Sequence, residues 1–129
     1  MPHFIIDCSE NIIEQKSPEE IMRAVYDVAE ATGLFAAGDI KVRLRPYKYF
    51  KLGKGKKDFI HIFGYIMEGR STEQKASLSR KMIERLNEIL PDISILSINI
   101  CEFEKATYSN KALIHPLNIT NDRHFNFEN

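Results

Sequence analysis

The feature of this 129-residue sequence that most constrains its fold is the order strand, helix, strand, which occurs twice at nearly constant spacing. Ser17 and Ser71 begin the two clearest helical segments and lie 54 positions apart, and the same shift carries Val42 to Leu96. A regular offset of this kind indicates an internal repeat. We therefore predict an α/β (α+β) fold of two tandem βαβ units, which form one sheet with two helices on one face.

Both helical segments carry start and stop signals. Each serine is followed three residues later by glutamate or glutamine, which predicts a capped N-terminus. The first helix is expected to end at Gly33 and the second before Pro91. The apolar positions recur at helical spacing, at Ile21, Ala24, Val25, Val28 and Ala29, then at Leu78, Met82, Leu86, Ile89 and Leu90.

The strand after each helix alternates between two kinds of side chain. Apolar residues predicted to face the helices are Ile40, Val42 and Leu44, then Leu96, Ile98 and Ile100. The opposite face carries Lys41, Arg43 and Arg45, then Ser97, Asn99 and Cys101. The strands before the helices are predicted from Phe4 to Cys8 and from Phe59 to Met67. A mixed face that no helix covers favours burial against other subunits, with simple exposure to water as the alternative. We expect a homo-oligomer.

Composition narrows the class of protein. One domain, 1–129, is expected, with a first repeat at about 2–46, a second at about 58–104 and a tail at 105–129. The net charge is zero and the sequence pI about 6.9, so we expect no nucleic-acid partner and no membrane partner. The start lacks a signal-peptide pattern and no apolar run approaches the roughly 18 residues that span a bilayer, so we expect a cytoplasmic protein.

Several other features of the sequence indicate no catalytic or metal-binding role. Cys8 and Cys101 are expected to be buried free thiols, and the four scattered histidines indicate no metal site. The basic stretch Lys51–Lys57 contains two glycines and is interpreted as a solvated hairpin tip. The tail, with apolar residues from Leu113 to Phe127, is expected either to wrap a neighbouring subunit or to be loosely ordered.

Two stretches carry a family resemblance. The segment 66–75, Ile-Met-Glu-Gly-Arg-Ser-Thr-Glu-Gln-Lys, resembles the strand-to-helix junction of 4-oxalocrotonate tautomerase. The opening Pro-His-Phe-Ile-Ile, with Thr32–Phe35 and the basic strand after it, more closely resembles 5-carboxymethyl-2-hydroxymuconate delta-isomerase, a family with two such units per chain. The similarity runs from Pro2 to about Glu104. It implies a tautomerase-like fold, a trimer, a proton shift without a cofactor, an N-terminal proline exposed by removal of methionine, and a substrate from the bacterial breakdown of aromatic acids.

The resemblance and the residue chemistry together predict a site around Pro2. A free secondary amine on a rigid ring can act as a general base if burial and nearby cations lower its pKa. Arg43, Arg70 and Lys41 are the candidate substrate-binding cations, and the apolar wall could come from Phe4, Tyr47, Tyr49 and Phe63. We predict a 1,3-proton shift on an unsaturated 2-hydroxy (di)acid such as 5-carboxymethyl-2-hydroxymuconate, with no cofactor and no metal.

One departure keeps other functions open. The family pattern has two arginines two residues apart on the basic strand, where this chain has Lys41 and Arg43; lysine lacks the planar fork that grips a carboxylate at two points. The alternatives are another activity on the same scaffold, such as a phenylpyruvate-type tautomerase or a dehalogenase, or a non-catalytic small-molecule binding or assembly protein. In the single-unit tautomerase a fixed number of residues separates the catalytic proline from the arginine. Counting back from Arg70 by that number reaches Ile60, which is not a proline, so one catalytic amine per chain is expected.

Overall fold

The computed structural model describes residues 1–36 and 38–114, and this part of the chain forms a four-stranded sheet with helices packed on it. The elements are β1 (His3–Ser9), α1 (Pro18–Ala31), β2 (Lys41–Tyr47), β3 (Phe59–Met67), α2 (Thr72–Ile89), β4 (Ile95–Phe103) and the single-turn α3 (Lys111–Ile114). Short 3₁₀ turns lie at Glu10–Ile12 and Lys105–Thr107. The predicted α+β class with two βαβ units is confirmed.

The sheet has the strand order β2-β1-β3-β4. Within each unit the strands are parallel, with His3 opposite Lys41 in the first and Phe59 opposite Ile95 in the second. The two units join through antiparallel pairing of β1 with β3, in which His3 lies opposite Tyr65. Because that pairing is antiparallel, the beginning of β1 lies beside the end of β3.

Both predicted helix starts are confirmed. The Ser71 side chain accepts from the backbone N–H of Gln74 at 3.1 Å, and the Gln74 side chain accepts from Ser71 N–H at 2.9 Å, which completes a capping box. In α1, Ser17 accepts from Glu20 N–H at 3.2 Å but donates its own hydroxyl to the Glu20 carboxylate at 3.0 Å. The first cap therefore satisfies one backbone donor where the second satisfies two.

The core lies between the helices and one face of the sheet. Its fully buried side chains include Phe4, Ile6, Ile60 and Ile62 from the two central strands. The helices contribute Ile21, Ala24, Val25 and Ala29 from α1, with Leu78, Met82 and Leu86 from α2. Burial of these aliphatic and aromatic side chains is the main stabilising term of a fold of this size.

The other face of the sheet has no helix on it in the described part of the chain. Most of its side chains are partly or fully exposed, and the apolar ones among them include Ile5, Phe63, Tyr65 and Phe103. Polar residues share the face: Arg45 and Tyr47 both donate to Asp7, and the His61 ring lies 2.6 Å from Ser97 Oγ and from Asn99 Oδ1. This arrangement matches the mixed face that the sequence predicts.

Three expectations need correction or fall outside the structure. The loop containing Lys51–Lys57 is exposed, but it is not a hairpin tip, because β1 lies between β2 and β3. Cys8 is buried as predicted, whereas Cys101 is only half-buried; both are free thiols. The tail prediction concerns mainly residues 115–129, which lie outside the described residues.

Candidate active site

A cavity of about 220 Å³ lies where the beginning of β1 meets the end of β3. Its lining comprises Met1, Pro2, Phe35, Ala36, Asp39, Met67, Glu68, Arg70 and Lys105. Pro2 is buried, and its carbonyl accepts from Lys41 N–H at 3.0 Å, which continues the β1–β2 ladder to the second residue. The parallel pairing of β1 with β2 brings the loop before β2 to the cavity, and the antiparallel pairing with β3 brings Arg70.

The amine at the chain terminus lies in this cavity. With Met1 present the amine belongs to Met1, and it donates to the Asp39 carbonyl at 3.0 Å and lies 3.7 Å from Asp39 Oδ2. Burial, followed by the positive charge of Lys41, lowers the pKa of the Met1 amine to about 6, although Asp39 opposes that shift. A terminal amine in these surroundings is therefore largely neutral at pH 7.

Arg70 is held at the cavity by backbone carbonyl groups. Its guanidinium donates to the Leu34 carbonyl and, at 3.5 Å, to the Met67 carbonyl, and it lies 5.3 Å from the centre of the Phe35 ring. Gly69, with φ of 116°, makes the turn that directs the chain from β3 into this position. Carbonyl partners orient the guanidinium without neutralising its charge.

The other two predicted cations lie elsewhere in the single chain. Lys41 does not line the cavity; its Nζ donates to the Asp39 carbonyl at 2.6 Å, so its charge acts on the terminal amine from nearby. Arg43 lines a separate cavity of about 310 Å³ on the uncovered face, together with His3, Ile5, Tyr65 and Phe103. The structure thus brings Pro2 and Arg70 together and leaves Arg43 apart from them.

Arg43 has a defined partner in its own cavity. Its Nη1 lies 3.1 Å from His3 Nδ1, and because a guanidinium can only donate, Nδ1 must accept. Burial, then the charges of Lys41 and Arg43, lowers the pKa of His3. A neutral imidazole is the form that holds the guanidinium.

The predicted apolar wall was wrong for the single chain. Phe4 belongs to the core, Tyr49 is 85% exposed in the β2–β3 loop, and neither Tyr47 nor Phe63 lines the cavity at Pro2. The wall consists instead of Phe35, Ala36 and Met67. Phe35 lies in the Thr32–Phe35 stretch that carries the family resemblance, so the sequence did indicate that this stretch belongs to the site. No sequence feature indicated that Asp39 and Lys105 line the cavity.

The second unit carries a different residue at the position of the proline. His3 and Phe59 occupy equivalent places in the two parallel pairings, so Asp58 corresponds to Pro2, two residues before the predicted Ile60. Asp58 is 1% exposed, and its carboxylate accepts from Ser94 N–H at 2.7 Å and from Gln15 Nε2 at 3.1 Å. The equivalent position therefore holds a satisfied carboxylate.

The described residues were also searched for metal sites and for helices that could cross a membrane. Among residues 1–36 and 38–114, no three His, Cys, Asp or Glu side chains converge in the way a metal ion requires. The helices of the same ranges are too short or too polar to cross a bilayer.

Comparison with known proteins places this chain in a family. The sequence profile of 5-carboxymethyl-2-hydroxymuconate isomerase matches residues 2–117. The chain belongs to this family. The 5-carboxymethyl-2-hydroxymuconate Delta-isomerase of Escherichia coli is 30% identical over 86 residues, which are 65% of this chain and 68% of that protein. The chain is therefore an isomerase of the tautomerase superfamily, as the sequence predicted.

Solved structures agree with the family assignment at the level of fold. A 5-carboxymethyl-2-hydroxymuconate isomerase from Deinococcus radiodurans R1 superposes with a TM-score of 0.74 at 24% identity, covering 85% of this chain and 88% of that one. An asymmetric trimer of fused 4-OT superposes with a TM-score of 0.69 at 14% identity, covering 84% and 92%. At these identities the similarity concerns the fold.

Proposed function

We propose that the chain catalyses a cofactor-independent 1,3-proton shift on an unsaturated 2-hydroxy acid, such as the triacid 5-carboxymethyl-2-hydroxymuconate, with Pro2 as the general base. The observation that carries this proposal is the meeting of Pro2, from the first unit, with Arg70, from the second, in one cavity. Family membership supports the reaction class. Removal of Met1 would convert the Pro2 nitrogen from an amide into a secondary amine in the same surroundings.

In the proposed reaction, the Pro2 amine transfers the proton and the Arg70 guanidinium stabilises negative charge. The neutral amine of Pro2 takes the proton of the 2-hydroxyl group, electrons move through the conjugated system as the ketone forms, and the proton returns to a distant carbon of that system. The product is an isomer, so atoms and electrons balance without a further reactant. Arg70 faces the charge that develops on oxygen or binds a carboxylate of the substrate.

The surroundings favour the neutral amine. The burial and the Lys41 charge that lower the pKa of the Met1 amine to about 6 would act on a Pro2 amine one residue further along. Lys41 thus has an electrostatic role in this proposal beyond substrate binding. We expect kcat/KM to rise with pH as the Pro2 amine loses its proton and to level off above the pKa of the Pro2 amine.

Arg43 requires a neighbouring subunit to take part. It lies on the uncovered face of the sheet, outside the Pro2 cavity of its own chain. We propose that this face packs against other copies in a homotrimer and presents Arg43 to a neighbour's Pro2 cavity. The trimeric state of the fused 4-OT relative supports this arrangement.

The experiment that tests the proposal combines intact mass with an ultraviolet assay of 2-hydroxymuconate and phenylenolpyruvate ketonisation. The wild type should lack the methionine mass, and Pro2→Ala should reduce ketonisation by about 100-fold, within the usual range for loss of a general base. Circular dichroism melting of both proteins controls for folding.

The same assay separates the alternatives. Preference for phenylenolpyruvate over the diacid would favour a phenylpyruvate-type tautomerase on the same scaffold. A retained methionine, or equal rates for wild type and Pro2→Ala, would refute Pro2 as the base.

A further inference from the structure

His3 holds Arg43 in the cavity on the uncovered face of the sheet. No carboxylate belongs to the lining of this cavity, which comprises His3, Ile5, Arg43, Tyr65 and Phe103. The Arg43 side chain is exposed, and none of the ion pairs between described residues includes it. The imidazole nitrogen at 3.1 Å is therefore the group that fixes the direction of the guanidinium while leaving its charge in place.

The His3 ring is itself braced by aromatic side chains from β3 and β4. The centre of the Phe103 ring lies 5.8 Å from that of His3, edge to face at an interplanar angle of 82°. Phe103 in turn stacks on Tyr65, which lies opposite His3 in the β1–β3 pairing, and contacts Tyr108. Because packing restricts the orientation of the imidazole, Nδ1 presents a fixed acceptor to Arg43.

The charges around His3 are positive. Burial, and after it the charges of Lys41, Arg43 and the terminal amine, lower the pKa of His3 below its ordinary value of 6.5. Lys41 lies opposite His3 in the β1–β2 pairing, and the Tyr65 phenol from β3 also faces the cavity. The imidazole is therefore neutral at pH 7. A proton gained at lower pH occupies Nδ1, which ends the hydrogen bond and places two positive charges side by side.

We propose that His3 is the positioning residue of Arg43: the neutral ring fixes the guanidinium for a neighbouring copy's substrate, and protonation of the ring releases it. This assignment rests on the proposed function, in which Arg43 serves a neighbour's Pro2 cavity. His3 touches no reacting atom and acts through Arg43. Turnover then depends on pH through two groups, the Pro2 amine that takes the proton and the His3 ring that holds the guanidinium.

Kinetics of the full chain at pH 8 test the positioning role. His3→Leu removes the acceptor and should raise KM for 2-hydroxymuconate about 10-fold, the effect of one charge-assisted hydrogen bond, with little change in kcat. His3→Asn places Oδ1 near the position of Nδ1 and should stay within about 2-fold of wild type. In an Arg43→Gln background, His3→Leu should have no further effect, because both changes remove the same oriented guanidinium.

The pH profile separates His3 from Pro2. The ratio of kcat/KM for His3→Asn to that for wild type should rise as the pH falls below 6.5, because only the wild type then loses the position of Arg43. Protonation of the Pro2 amine affects both proteins alike, so its contribution cancels in the ratio. A ratio that stays flat between pH 5 and pH 8, or a His3→Asn variant as impaired as His3→Leu, would overturn the assignment.

A measurement without turnover makes the assignment independent of catalysis. NMR of protein labelled with 15N-histidine, with the His3 signals assigned from the His3→Asn spectrum, should show an unprotonated Nδ1 at pH 7. Arg43→Gln should raise the pH at which His3 titrates, because a repelling charge is lost. The His61 signals, from a ring that lies against Ser97 and Asn99, should not respond and are the internal control.

The outcomes distinguish this assignment from the catalytic proposal. A protonated Nδ1 at pH 7, or a His3 titration that Arg43→Gln leaves unchanged, in a chain that still performs ketonisation would overturn the His3 assignment alone. The expected titration in a chain that shows no ketonisation would refute the catalytic proposal alone. Additive losses from His3→Leu and Arg43→Gln would show that His3 acts on the fold and not through Arg43, and would also overturn the assignment.

Discussion

Asp58 shows how one residue can separate two otherwise similar units. Burial of its carboxylate raises its pKa, but hydrogen bonds from the Ser94 backbone and from Gln15 outweigh that effect and lower the pKa below its ordinary value of 3.8. The carboxylate therefore contributes stability at pH values above 3.8, and this contribution is lost as the pH falls through the lower pKa of the folded state. At the equivalent position of the first unit, Pro2 faces a cavity.

We expect Asp58→Asn to lower the free energy of unfolding at pH 7 by about 2 kcal/mol, because the amide replaces a charge-assisted acceptor and presents a donor to Gln15. The difference from wild type should narrow as the pH is lowered through the folded pKa. Urea unfolding across a pH series measures both quantities. Asp92→Asn, at an exposed position in the loop before β4, is the control, and an Asp58→Asn effect that does not depend on pH would contradict this account.

At the scale of elements, the caps of α1 and α2 differ although their sequences resemble each other. Ser71 and Gln74 satisfy two backbone donors, whereas the Ser17 hydroxyl donates to the glutamate that could have completed its box. The capping box that satisfies two backbone donors begins at Ser71, directly after Arg70. The α2 N-terminus therefore fixes the residue that faces the proposed substrate as well as the helix.

Ser71→Ala should reduce the free energy of unfolding by about 1 kcal/mol through loss of the cap acceptor. Ser71→Asp keeps an acceptor at the same position and should stay within a few tenths of a kcal/mol of wild type. Chemical denaturation of the two variants gives the comparison. Equal destabilisation by both would show that the hydroxyl acts in some way other than as an acceptor.

The helix ends and strand periods could be predicted from the sequence because they depend on neighbours within a few residues. Ser17, Gly33, Ser71 and Pro91 are local signals of that kind. The pairing of β1 with β3 is a long-range choice, and the glycines of Lys51–Lys57 indicate a turn without indicating which strands pair. The hairpin prediction therefore failed, and neither Phe35 nor Lys105 could be placed in the cavity before the register was known.

At the scale of the whole molecule, the residues proposed to bind and convert the substrate lie in two separate cavities. Pro2 and Arg70 share one cavity, and Arg43 lies in another on the uncovered face. That face combines Ile5, Phe63 and other apolar side chains with hydrogen-bonded polar ones. In the proposed homotrimer, Arg43 would come from a neighbouring copy to join Pro2 and Arg70.

Phe63→Glu places a charge in the middle of the uncovered face and should shift the protein toward a monomer of 14.9 kDa. Light scattering after size exclusion measures the mass. Because the variant would separate Arg43 from a neighbour's Pro2, ketonisation should fall with assembly. Lys81→Glu, at an exposed site on α2, should alter neither property. A wild type that is monomeric and fully active would refute the shared site.

The position of β1 has a practical consequence for preparing the protein. The first two residues lie in the cavity, and the terminal amine is hydrogen-bonded to the Asp39 carbonyl. Residues left ahead of Met1 by an affinity tag would occupy the space proposed for substrate and would leave the Pro2 nitrogen as an amide, which cannot accept a proton. A tagged preparation of a competent enzyme would then be scored as inactive, so the tag belongs at the other end of the chain.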